Sequence, residues 1–89
     1  MAEKRERLDV IHDILSAVIM NNKIGPTRLI HLSNLSPAMF KEYTNELVES
    51  GLLIKKTDGN RKFYEVGING FKFMEQYKSF KNFVYELGL

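Results

Sequence analysis

The chain has 89 residues, 44% of them apolar and 27% charged, with no cysteine and a formal net charge of +2. This suits one small domain that buries about two-thirds of its unfolded surface, and it excludes disulfides, a thiolate zinc site and a cysteine nucleophile. Apolar runs end after three or four residues, far short of the roughly 20 that span a bilayer, and the charged start from Met1 to Arg7 is no signal-peptide core; a soluble, cytoplasmic protein is expected.

Residues 7–21 read as a helix. Leu8, Ile11, Leu15 and Val18 fall on a helical period with Ile14 and Ile19 beside them, while Val10, Ala17 and Met20 widen the apolar arc. Asp9, Asp13 and Ser16 mark the wet side. Asn21 to Gly25 form a break, and Pro26 suits the first turn of a short second helix, Pro26 to Ser33, with Leu29, Ile30 and Leu32 apolar. Ser36 before Pro37 is an N-cap with proline at the first helical position, so a third helix runs to Ser50. Its inward stripe is Phe40, Tyr43, Leu47 and Val48, and Gly51 stands where a C-terminal cap glycine belongs.

Two β-prone runs, Leu52 to Thr57 and Asn60 to Val66, flank Asp58-Gly59, a two-residue hairpin signal. A turn at that dipeptide sets Ile54 opposite Phe63 and Leu53 opposite Tyr64, which makes the base apolar and the tip basic. The charge distribution is uneven in the same place. Residues 51–66 carry Lys55, Lys56, Arg61 and Lys62 against Asp58 and Glu65, whereas the rest of the chain is nearly balanced. After Gly67-Ile68-Asn69-Gly70 comes a last helix ending near Gly88.

Helix, short helix, tight turn, helix and basic-tipped hairpin is the element order of a winged helix-turn-helix. The expected fold class is therefore α+β, mainly α: a winged helix-turn-helix over residues 1–68 with an extra C-terminal dimerisation helix over 69–89 in the same compact domain. Such an architecture puts its third helix in the DNA major groove and its wing on the backbone or in the minor groove.

The run Leu35-Ser36, Phe40-Lys41-x-Tyr43, Leu47-Val48-Glu49-x-Gly51-Leu52-Leu53, and the later Tyr64-x-Val66 with Gly70-x-x-Phe73-Met74-Glu75-x-Tyr77, resemble small archaeal winged-helix DNA-binding proteins. The ten-kilodalton Sulfolobus DNA-binding proteins and related archaeal regulators are of this type, and the resemblance covers about residues 5–80. It implies DNA binding by a dimer whose C-terminal helices form a coiled coil, antiparallel in relatives. Two residues depart from the pattern: Gly67 stands where relatives usually place a helix-capping Thr, and Thr44 where Leu is more usual.

With its stripe inward, the third helix presents Ala38, Lys41, Glu42, Asn45 and Glu49 outward. Asn45 can bond adenine bidentately, Lys41 can reach guanine or a phosphate, and Ala38 permits close approach. An ordinary solvated face is the alternative, and the two glutamates speak for it. In the wing, Lys55, Lys56, Asn60, Arg61 and Lys62 suit phosphate contact, with Arg61 a candidate for the minor groove; lysines that guard an exposed strand against aggregation would look the same. Arg28, on the second helix, is a phosphate contact or a plain surface residue.

In the last helix Phe73, Tyr77, Phe80, Val84 and Leu87 step by 4, 3, 4 and 3, a heptad seam suited to dimerisation, with Phe71, Met74 and Phe83 beside it. Val10, Ala17 and Met20 could partner it, and folding back on the first helix and hairpin is the simpler use. His12 and His31 form no metal-ligand spacing, and Gly67-x-x-Gly70 lacks the βαβ context of a phosphate loop. The expectation is a homodimer that binds double-stranded DNA in the cytoplasm or nucleoid, as a transcriptional regulator or chromatin-associated protein. No enzymatic activity, cofactor, metal, membrane or small-molecule ligand is expected. A winged helix used for protein–protein contact, without DNA, is the rival that Glu42 and Glu49 favour.

Overall fold

The computed structural model describes residues 4–89, with side chains from Glu6 onward; the first residues of the charged N-terminal run lie outside the described residues. Four helices and one hairpin follow in order: α1 (Lys4–Met20), α2 (Pro26–Ser33), α3 (Pro37–Glu49), β1 (Leu53–Asp58), β2 (Arg61–Val66) and α4 (Ile68–Glu86). This is the winged helix-turn-helix expected from the element order, with the C-terminal helix present. No helix among the described residues is long and apolar enough to cross a membrane.

Local chemistry places the middle helices. Pro26 opens α2, and Asn34 closes it in the left-handed region at φ 54, where a short polar side chain is tolerated. Ser36 caps α3, its hydroxyl accepting the Met39 N–H at 3.2 Å. The core gathers Ile11, Ile14, Leu15 and Val18 of α1, Leu29 of α2, Phe40, Tyr43 and Leu47 of α3, and Leu53 and Tyr64 of the hairpin. The dry arc of α1 is narrower than its composition suggests. Ile19 and Met20 are exposed, and Val10 and Ala17 only partly buried.

On α3 the inward stripe differs by one residue from the expected one: Val48 is exposed and Thr44 is buried. Geometry explains the exchange. At about 100° per residue, position 44 lies nearer the centre of the Phe40–Tyr43–Leu47 stripe than position 48. Burying the threonine hydroxyl is tolerated because it donates to the Phe40 carbonyl one turn back, at 2.9 Å.

The hairpin register also differs. Asp58 pairs with Arg61, Lys56 with Phe63 and Leu53 with Val66, so the turn residues are Gly59-Asn60 and the pairing lies two residues from the expected one. Gly59 has φ 62 while Asn60 is not among the positive-φ residues, the pattern of a type II′ turn with glycine first. A two-residue shift preserves which face each side chain occupies, so Leu53 and Tyr64 still share the core face. β2 gains one further partner, with the Tyr64 N–H donating to the Ile24 carbonyl at 3.0 Å.

α4 starts at Ile68 without a side-chain cap from Gly67. Its first half folds back: Phe73 and Met74 pack partly buried against the core. Tyr77 stacks on His12 of α1 with ring centroids 4.2 Å apart, and its hydroxyl donates to Asp9. Beyond that contact, Phe80, Phe83 and Leu87 are 60%, 57% and 58% exposed. The helix carries the molecule to 49 Å along its longest axis.

Candidate nucleic-acid interface

Every residue expected to meet DNA is solvent-accessible. On α3, Ala38, Lys41 and Asn45 are exposed, as are Glu42 and Glu49. A further glutamate, Glu46, is exposed on the same helix, but it is paired with Arg7 from α1, whose guanidinium also lies 5.2 Å from the Tyr43 ring centroid. This strap between α1 and α3 cancels one of the helix's three acidic charges. Nothing local in the sequence signals it, because the partners are 39 residues apart.

In the wing, the alternation of the strands divides the cations between two faces. Lys55 and Lys62 share the face of Leu53 and Tyr64, while Lys56 and Arg61 share that of Ile54 and Phe63. Two cations are taken up locally. The Lys56 ammonium lies 3.0 Å from Glu65, and Lys23, from the α1–α2 connection, lies 3.6 Å from Asp58 and 5.7 Å from the Phe63 ring centroid. Lys55, Arg61 and Lys62 then have no carboxylate partner among the described residues, so the wing tip keeps a net positive face once its own acids are neutralised.

Arg28 and Arg61 line one open groove of about 600 Å³, with Asn21, Lys23, Gly25 and Thr27 around them. The fold thus brings a residue of α2 and one from the wing tip, 33 positions later, to a common surface. Arg28 donates to the Asn21 side chain at 3.4 Å, a long contact. Asn60, in the turn, is exposed beside Arg61.

The seam residues of α4 are divided. Phe73 and Tyr77 face the chain's own core and α1, whereas Phe80 and Leu87 are exposed and Val84 half-buried. His12 is engaged with Tyr77, and His31 is exposed on α2. Among the described residues no group of three or more His, Asp or Glu is placed to hold a metal ion.

A helix pair, a capped third helix with an outward polar face and a basic hairpin define a winged helix-turn-helix. The family model described as winged helix-turn-helix matches residues 4–84, and the chain belongs to that family. Among solved structures it is similar to Sso10a-2, a DNA-binding protein from Sulfolobus solfataricus, with 28% identity over 90% of this chain and 82% of that one, TM-score 0.74. AF1382 from Archaeoglobus fulgidus shares the fold at 16% identity over 92% and 90% of the two chains, TM-score 0.71. The PcaV transcriptional regulator from Streptomyces coelicolor does so at 19% identity over 90% of this chain and 63% of that one, TM-score 0.71. A search of curated protein sequences gives no match.

Proposed function

We propose that this protein is a homodimeric, double-stranded-DNA-binding winged-helix protein that serves as a transcriptional regulator or chromatin-associated protein in the cytoplasm or nucleoid. It has no enzymatic role and needs no cofactor. Residues 1–68 form the DNA-binding unit and 69–89 the dimerisation helix. The observation that carries the reading is the set Lys55, Arg61 and Lys62, free of carboxylate partners among the described residues, with Arg28 on the groove that Arg61 lines. Four cations without a carboxylate partner among the described residues suit the regularly spaced phosphates of a duplex, and phosphate contacts supply most of non-specific affinity. The DNA-binding relative named above supports the same reading.

In this proposal α3 enters the major groove, where Ala38 permits close approach, Lys41 contacts guanine or phosphate and Asn45 bonds an adenine edge. The wing lies along the backbone through Lys55, Asn60, Arg61 and Lys62, with Arg61 at the edge of the minor groove, while Lys56 is held by Glu65. Dimerisation uses the outward part of the predicted seam, Phe80, Val84 and Leu87, while Phe73 and Tyr77 stay packed within their own chain; the exposed rings of Phe80 and Phe83 supply the apolar area that a second copy covers. Glu42 and Glu49 favour a second reading, a protein-binding winged helix, because exposed carboxylates on α3 oppose phosphate. Titrating a labelled duplex with the protein at low salt separates the two. Saturable binding is expected, and no binding at tens of micromolar protein would leave only the protein-contact reading.

A further inference from the structure

Gly67 and Gly70 occupy the point where α4 meets the end of α3. The contact is backbone on backbone. Gly67 donates its N–H to the Leu52 carbonyl at 3.0 Å, and Leu52 donates to the Leu47 carbonyl of α3 at 2.8 Å. A Cβ at position 67 would stand 2.3 Å from the Gly51 oxygen, and one at position 70 would stand 2.3 Å from the Leu52 oxygen. Both are distances no real side chain tolerates, so the first turn of α4 rests directly on Gly51-Leu52.

Asn69 locks the same joint from outside. Its side-chain amide donates to the carbonyl of Ser50, the C-cap residue of α3, at 2.9 Å. Gly51, held at φ 81, leaves the space this amide occupies; a Cβ there would meet the Asn69 nitrogen at 2.9 Å. A junction built from main-chain atoms and one amide has almost no rotamers through which to relax, unlike one cushioned by long side chains. The first turn of α4 is therefore held directly against the C-terminal end of α3.

We infer that Asn69, seated between Gly51, Gly67 and Gly70, is a positioning residue that couples the dimerising helix to the DNA-reading helix and so fixes how the two α3 helices of a dimer are presented to one duplex. The inference rests on the proposed dimeric DNA binding. Asn69 itself touches no DNA. Its effect is confined to the bivalent step, because the second α3 of a dimer binds at an effective concentration set by how rigidly it is held relative to the first. A lone winged helix has no such requirement.

The test uses the full chain in four forms: wild type, Asn69→Ala, Phe80→Glu to separate the copies, and both together, with mass checked by sedimentation and folding by circular dichroism. Duplex affinity is read by anisotropy below the melting temperature of every variant. Asn69→Ala is expected to weaken the dimer about tenfold and to leave the Phe80→Glu background within about twofold. A merely structural role would weaken both backgrounds alike, and that result overturns the inference, as does an unchanged dimer. Gly67→Ala, which forces the joint apart at the Gly51 oxygen, provides the independent variant and is expected to repeat the dimer-only loss. Wild type that binds no duplex, or sediments as a monomer, overturns the functional reading as well; wild type that binds as a dimer while both variants match it overturns the joint alone.

Discussion

Replacing Arg61 and Lys62 together by alanine removes two of the three wing cations that have no carboxylate partner among the described residues. Arg28, Lys55, Arg61 and Lys62 give four phosphate-facing charges per chain, hence about eight in a dimer and a log–log salt slope near −7. The double variant keeps about four per dimer, so the slope falls to roughly half. Counterion release contributes nothing at about 1 M salt, where the two lines converge; near about 0.1 M the variant then binds roughly 10³-fold more weakly. Fluorescence anisotropy on a labelled duplex over a range of salt concentrations measures both quantities. The loss should be the same on every duplex sequence, since phosphate contacts carry no sequence information. A variant with the wild-type slope would refute the assignment of these residues to the backbone.

Four further substitutions have expected outcomes on the same structure. Asn45→Ala should flatten preference at one base position by about 1–3 kcal/mol with little change in salt slope; competition among duplexes varied one position at a time measures this, and an unchanged preference removes the base-reading role. Phe80→Glu places a carboxylate in the exposed apolar stretch of α4 and should halve the sedimenting mass, while an unchanged mass would exclude that face from the dimer contact. Gly59→Ala should lower stability by about 1–2 kcal/mol in urea unfolding, since position 59 is open in space and the cost comes only from its φ of 62. Asn60→Ala should change stability by less than about 0.5 kcal/mol, and equal effects at the two positions would contradict the Gly59-Asn60 turn.

The parts of the fold that were legible in the sequence are those governed by residues close together. Pro26, Ser36 and Pro37 set where α2 and α3 begin, and the structure starts both helices there. The hairpin was legible as a hairpin, but Asp58-Gly59 and Gly59-Asn60 both satisfy a two-residue turn. Inward–outward alternation cannot separate registers that differ by two. That choice had consequences for the site. In the observed register Lys56 and Glu65 are diagonal cross-strand neighbours and pair, which removes Lys56 from the free cations. The inward place of Thr44 was hidden because a hydroxyl in the core becomes acceptable only once its bond to Phe40 is known. The Arg7–Glu46 strap and the Lys23–Asp58 pair join residues 39 and 35 positions apart, a separation no local pattern reports. On α4 the heptad spacing was visible, yet it could not tell that Tyr77 turns to His12 of its own chain while Phe80 turns outward.

Duplex DNA binding by the unmodified protein as a function of salt bears most directly on the central claim. On a random-sequence duplex of about three helical turns, between about 50 and 200 mM salt, a slope near −7 is predicted. Binding that does not depend on salt, or no binding at the low-salt end, would exclude DNA binding through these phosphate contacts.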